Sequence, residues 1–175
     1  MSKLTASIVV YKGSLKLLND AIQSFLNSAP QSTLYVIDNS PTDEARTVCH
    51  DARIRYLFNN DNVGFGAAHN IALREILETS TYHLVLNPDV NFEANVISDL
   101  LTFMDSNKDI GLVMPKVLYP DGRLQYLCRL LPSPSTLLLR RIASERFGVG
   151  KKINRHYELQ FSGYNQIMDV PFLSG

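Results

Sequence analysis

One feature constrains this chain more than any other: short, strongly apolar runs alternate with longer stretches that place apolar residues at helical spacing. Thr5 to Tyr11 (TASIVVY), Thr33 to Ile37 (TLYVI), Ile54 to Phe58 (IRYLF) and Tyr82 to Leu86 (YHLVL) read as buried strands, and Ile110 to Met114 (IGLVM) reads as a fifth. Between them, Ser14 to Ser28 sets Leu15, Leu18, Ala21, Ile22, Phe25 and Leu26 on one helical face, with Pro30 just beyond its end. Further helices are expected over Thr42 to His50, Ala67 to about Leu77, and Glu93 to Ser106. Strands this apolar cannot leave a face in water, and helices between them supply parallel crossovers. The expected class is therefore α/β, a mostly parallel sheet with helices on both faces.

After Pro115 the alternation stops. Pro120-Asp121-Gly122 predicts a hairpin turn within Lys116 to Tyr126. Residues 133–152 mix leucines with Arg140, Arg141, Arg146, Lys151 and Lys152. That segment reads either as a solvated basic helix packed on the sheet or as a peripheral contact with an anionic membrane surface. The terminal VPFLSG reads as one more strand. No repeat or linker divides the chain, so one domain is expected over 1–175, with a core at 1–115 and the hairpin, basic helix and a further region at 116–175.

Charge and cysteine content exclude several classes. Seventeen basic and seventeen acidic residues leave a formal net charge of zero, so no basic field is available to hold nucleic acid by counterion release. Cys49 and Cys128 have no Cys or His partners at ligand spacing, which predicts reduced thiols and neither a zinc module nor a disulfide framework. The apolar run before Lys12 is too short for a secretion signal, and no stretch of about 20 apolar residues follows. A cytoplasmic location is expected, at the inner face of the membrane if the basic segment binds there.

In an open α/β sheet, ligands sit outside the carboxyl ends of the strands, where loops and helix N-termini offer free amides. The polar residues of this chain collect at four such ends: Tyr11, Asp38 with Asn39, the segment Asn59 to Gly66, and Asn87 with Asp89. Each alone is explained as a turn or cap residue, but four coincident strand ends point to a ligand. Asp38 can accept from a ribose or a base N–H, or can form an Asx-turn or cap. In NDNVGFGAAHN, Gly64 and Gly66 permit positive φ and close approach of backbone to phosphate. His69 stands where a dinucleotide fingerprint would have its third glycine, and the loop follows the third strand instead of the first, which argues against a nicotinamide enzyme. His69 is read as structural and not as a base. Asp89 is either a single-carboxylate ligand for Mg2+ or Mn2+ completed by phosphate oxygens, or a cap for the following helix.

In order along the chain, SIVVY, VIDNSPTD, NNDNVGFGAAHN, LVLNPDV and PKVLYPDGRLQ, with the terminal VPFLSG, resemble glycosyltransferase family 2, the inverting GT-A enzymes. The NPDV form resembles its rhamnosyltransferase-like branch. The resemblance implies that Tyr11 and Asp38 hold the nucleotide base and ribose. It implies too that Asn62, Gly64, Gly66 and Asn70 lie beside the nucleotide sugar, and that Asn87-Pro88-Asp89 replaces a DxD motif with Asp89 as the metal ligand. Asn87 in place of the first Asp keeps hydrogen bonding but removes a charge. The implied reaction transfers a sugar, rhamnose from dTDP-rhamnose or a hexose from a UDP-sugar, to a saccharide or lipid-linked acceptor in cell-surface polysaccharide assembly. The family's general base is implied downstream of VPFLSG, hence beyond Gly175. Asp121, Glu145, Glu158 and Asp169 lie in no segment resembling it. The chain is thus expected to be most of a GT-A domain, incomplete at its C-terminus. The alternative expectation is a truncated or inactive fragment acting only as a nucleotide-binding or interaction module.

Overall fold

The β-branched run near the N-terminus forms an inner strand of a four-stranded parallel sheet in the computed structural model, which describes residues 2–133 and 149–174. Residue contacts divide the chain into two compact units, Met1–Gly111 and Leu112–Gly175. The first unit runs β1 (Ser2–Val10), α1 (Leu15–Ser28), β2 (Thr33–Asp38), a short 3-10 helix (Glu44–Val48), β3 (Ile54–Phe58), α2 (Phe65–Ile76), β4 (Ser80–Leu86) and α3 (Val96–Ser106). The sheet order is β3-β2-β1-β4, with Val10 opposite Asp38, Ile8 opposite Leu86, and Asp38 opposite Phe58.

Strand alternation sorts the side chains onto two faces. Leu4, Ala6, Ile8 and Val10 of β1, with Leu34 and Val36 of β2, pack against Leu18, Ala21, Ile22, Phe25 and Leu26 of α1 and Ile97 of α3. On the opposite face Val9, Tyr35 and Ile37 meet Ala68, Ala72 and Ile76 of α2. Helices thus cover both faces. Phe25 and Ile22 are fully buried, and burying such a side chain contributes about 2–3 kcal/mol over leaving it exposed. Helix α1 starts where Ser14 leaves helical geometry and accepts a hydrogen bond from Leu17 N, and it ends just before Pro30.

The boundaries shift where pairing or a glycine decides them. β1 starts at Ser2 and not at Thr5, because β4 reaches back to Ser80 and supplies Ser2 with a partner. α2 starts at Phe65, directly after Gly64. The expected fifth strand is not formed: Ile110 to Met114 has no ladder among the described residues. An apolar run becomes a strand only if a neighbour pairs with it. Here Gly111 brings no side chain to pack, and Leu112 is 73% exposed.

In the second unit, Leu118 and Leu124 bridge across the expected hairpin turn, closed by Tyr119 N to Arg123 O at 2.7 Å and Gly122 N to Tyr119 O at 2.9 Å. Gly122 adopts φ +82°, which the turn requires. VPFLSG contributes β6 (Phe172–Leu173), antiparallel to β5 (Cys128–Arg129). The Tyr164 hydroxyl accepts from Cys128 N at 2.9 Å and lies within donating distance of the Cys128 and Glu158 carbonyls. The expected basic helix over 133–152 falls largely outside the described residues; its end joins a helix at Val149–Tyr157. Among the described residues, no helix is long and apolar enough to cross a membrane. Cys49 and Cys128 are free thiols, and burial followed by the nearby Asp38 carboxylate pushes the Cys49 thiol up to about 11.

Candidate functional site

Because β1, β2, β3 and β4 are parallel, their carboxyl ends share one edge. The order β3-β2-β1-β4 reverses direction at β1, so the β1 and β4 ends form the switch point beside which open α/β sheets bind their ligands. Tyr11 stands just past β1, about half exposed, and Asn87 leaves β4 directly after Leu86. The polar residues singled out in the sequence therefore gather along one edge of the first unit.

Asp38 is the most enclosed of them, with no solvent exposure, and Asn39 and Ser40 beside it are buried as well. Its Oδ1 accepts from Ser40 N at 2.9 Å, which realises the Asx-turn alternative, and its Oδ2 accepts from the Tyr56 hydroxyl at 2.6 Å. Burial, and then the hydrogen bond to Asp38, raise the Tyr56 phenol above its ordinary range, so it remains a donor. The β1 and β2 ends are stitched together by Asn39 N to Val10 O at 2.9 Å and by Lys12 N to Ser40 Oγ at 3.0 Å. Lys12 takes a left-handed φ of +50° to make that second bond. Asn59 Nδ2 donates to Asn39 Oδ1 at 2.8 Å, tying in the β3 end.

The glycine loop leads straight into α2. Asn62 is exposed, and its Oδ1 accepts from Gly64 N at 3.2 Å. Gly64 adopts φ +84° and ψ 161°, a region that only glycine enters readily. Gly66 and Asn70 lie on the first two turns of α2, with Asn70 exposed, and a Cβ at either glycine would meet nothing within 4 Å. The first amides of α2 lack intrahelical acceptors and carry the positive end of its dipole. Gly64→Ala is expected to destabilise the fold by about 1 kcal/mol through backbone strain alone, since no neighbour is displaced. Urea unfolding checks this, and an unchanged midpoint would show that the loop does not need the glycine.

At the end of β4, Asn87 to Val90 makes a tight turn, with Val90 N donating to Asn87 O at 3.4 Å and Pro88 at the position its fixed φ suits. Asp89 is exposed and makes no hydrogen bond or ion pair among the described residues. The capping alternative is not realised, because α3 starts at Val96 after Asn95, whose cap position has no side-chain bond. No group of three or more His, Cys, Asp or Glu that could hold a metal exists among the described residues. A cation here would thus rest on Asp89 together with ligand oxygens and water, a donor set that suits Mg2+ or Mn2+.

Sequence reading missed the polar chain under α2. Thr5 Oγ1 lies 2.9 Å from His83 Nδ1, and Ser7 Oγ bridges His83 Nε2 and His69 Nδ1 at 2.7 Å each. His69 is buried, packs edge-on against Phe65, and its Nε2 has no partner among the described residues. The signal was the polar interruption Thr5 and Ser7 in β1, on the strand face opposite Leu4, Ala6 and Ile8. The second unit carries an open depression of about 390 Å³ lined by Tyr126, Arg155, His156, Gln160 and Phe161.

Over 89 residues the chain is 30% identical to the low-salt glycan biosynthesis hexosyltransferase Agl10 of Haloferax volcanii, covering 50% of this chain and 29% of that protein. Among solved structures it resembles the crystal structure of S. aureus TarS, with a TM-score of 0.52 and 16% identity over 67% of this chain and 24% of that one. That likeness shows a shared GT-A-like α/β fold. The chain spans less than a third of the length of either protein. The family model described as Glycosyl transferase family 2 matches residues 6–166, nearly the whole chain, and the protein belongs to that family.

Proposed function

We propose that this chain is the nucleotide-sugar-binding part of an inverting glycosyltransferase that delivers a hexose or deoxyhexose, rhamnose from dTDP-rhamnose being the leading candidate, to a saccharide or lipid-linked acceptor. The observation that carries the reading is the gathering of Tyr11, Asp38, the Gly64 loop and Asp89 along one strand-end edge of a family 2 chain. The hexosyltransferase relative supports the sugar class, and the NPDV form supports the rhamnose donor.

In this reading the ring of Tyr11 covers the nucleobase, and Asp38 holds the base or ribose from within the knot formed with Ser40 and Tyr56. The Gly64 loop lets backbone approach the donor, Gly66 keeps the first turn of α2 open, and Asn62 and Asn70 offer amides to the sugar. Asn87 and Asp89 flank the diphosphate, with Asp89 holding Mg2+ or Mn2+. The cation, when bound, offsets negative charge on the departing diphosphate. The α2 amides act on the same charge, because they are fixed in place before the reaction and need not reorient during it. An acceptor hydroxyl must lose its proton on the opposite face, and no residue of this chain is assigned that role.

Calorimetric titration of the chain with dTDP, UDP and GDP, each with and without Mn2+, tests the proposal. Binding of dTDP or UDP that tightens with Mn2+ is expected. Failure to bind any of the three would overturn it.

A further inference from the structure

We infer that Tyr56 is a positioning residue for the nucleoside end of the donor, acting through Asp38. The inference rests on the nucleotide-sugar reading and adds to it a residue on a strand that no motif marks.

β2 and β3 pair so that Val36 stands opposite Tyr56, and alternation then places Asp38 and Tyr56 on the same face of the sheet. The Tyr56 hydroxyl donates to Asp38 Oδ2 at 2.6 Å while Ser40 N donates to Oδ1 at 2.9 Å, so each carboxylate oxygen is held by a donor on a different element. Two such donors fix the plane of the carboxylate. An ionised carboxylate has about four acceptor positions, so two are left over. Asp38 has no solvent exposure, so a base N–H or ribose hydroxyl reaches them only when the residues over the strand end give way, and the fixed plane then presents them in one orientation.

Tyr56 is itself braced. The Arg46 guanidinium lies over its ring, 4.8 Å from the centroid, and Arg46 Nε is paired with Asp43 Oδ2 at 3.2 Å. The 3-10 helix Glu44–Val48 thereby clamps the ring on which the Asp38 geometry depends. Without the hydroxyl, Oδ2 of a carboxylate with no solvent exposure has no other donor among the described residues. The carboxylate then turns toward whatever donor it can find, and the turn through Ser40, which also receives Lys12 N, loosens with it.

The test compares wild type, Tyr56→Phe, Asp38→Asn and the double variant by calorimetry with UDP, dTDP, uridine, thymidine and inorganic pyrophosphate. Tyr56→Phe is expected to weaken the nucleosides and the nucleoside diphosphates by about tenfold, the scale of one hydrogen bond to a charged group, and to leave pyrophosphate unchanged. In the Asp38→Asn background the same change is expected to add less than about twofold, because the two residues act as one unit. Arg46→Ala, which keeps the hydroxyl but frees the ring, is expected to cost a few-fold in nucleoside affinity and gives the answer if Tyr56→Phe does not fold. The inference is overturned by unchanged nucleoside affinity in Tyr56→Phe or, where that variant does not fold, in Arg46→Ala. An equal loss for pyrophosphate, or full additivity with Asp38→Asn, also overturns it. A wild type that binds none of the nucleotides instead overturns the underlying site assignment.

Discussion

Asp89→Ala is expected to weaken nucleoside diphosphate binding in the presence of Mn2+ on the order of a hundredfold, while affinity measured with EDTA stays at the wild-type value. The magnitude follows from losing an interaction between ionised groups, about 2–3 kcal/mol, where each 1.4 kcal/mol is a factor of ten. The prediction is clean because Asp89 is exposed and makes no hydrogen bond or ion pair among the described residues. Removing its carboxylate breaks no internal contact, so stability should move by less than about 0.5 kcal/mol. The turn beneath it is set by Pro88 and by Val90 N to Asn87 O, neither of which involves the side chain. Calorimetry with UDP and dTDP, with and without Mn2+, reads both quantities in one series. An Asp89→Ala protein that still tightens its grip when Mn2+ is added removes Asp89 from the site.

Asp89 also shows how sequence and structure divide the work. The turn of which it is part, and the four strands that aim their ends at one edge, were legible because β-branched runs and helical spacing are local properties. The extra residues of β1 were not, because they are strand only by virtue of the partner that β4 offers at Ser80. Ile110 to Met114 fails for the converse reason, since its apolar pattern meets no partner among the described residues. At the site, the Asx-turn of Asp38 was foreseen as an alternative to ligand binding, and the structure shows that turn formed. Its second donor, Tyr56, was invisible, because a strand tyrosine reads as core until pairing register sets it beside a carboxylate. The same holds for Ser7, His69 and His83, which meet only through sheet pairing and a packed helix and lie too far apart in sequence for any motif to join them.

That pair of histidines, His69 buried and His83 half-buried, leads to the other large expected effect, a loss of stability in mild acid. Burial lowers the His69 imidazole below its ordinary range, and burial followed by the proximity of His69 pushes His83 down to about 4. Among the described residues their recorded partners are the hydroxyls of Thr5 and Ser7 on β1 and the Phe65 ring on α2, none of which carries a negative charge. A proton on His69 would also leave its Nε2–H buried without an acceptor among the described residues. The unfolded chain, with ordinary histidines near 6.5, therefore takes up protons before the folded one does. Stability is complete above about pH 6.5, falls as pH drops through that value, and stops falling for this reason only below the folded value near 4. After allowance for partial exposure, His83 alone accounts for roughly 2 kcal/mol, and His69 adds in the same direction. Asp51, held at about 2 by Arg53, and Asp105, held lower still by Lys3 and Lys108, keep their protons off throughout this window and contribute losses only below about pH 4. Urea unfolding at pH 7.5 and pH 4.5 should thus show a drop of about 2 kcal/mol or more in the wild type and a much smaller one in His83→Gln. A flat wild-type profile over that range would mean that the fold does not hold the pair neutral in solution. Because His69 sits one turn into α2, whose first residues follow the Gly64 loop, the same acid step should loosen that loop before the sheet itself gives way.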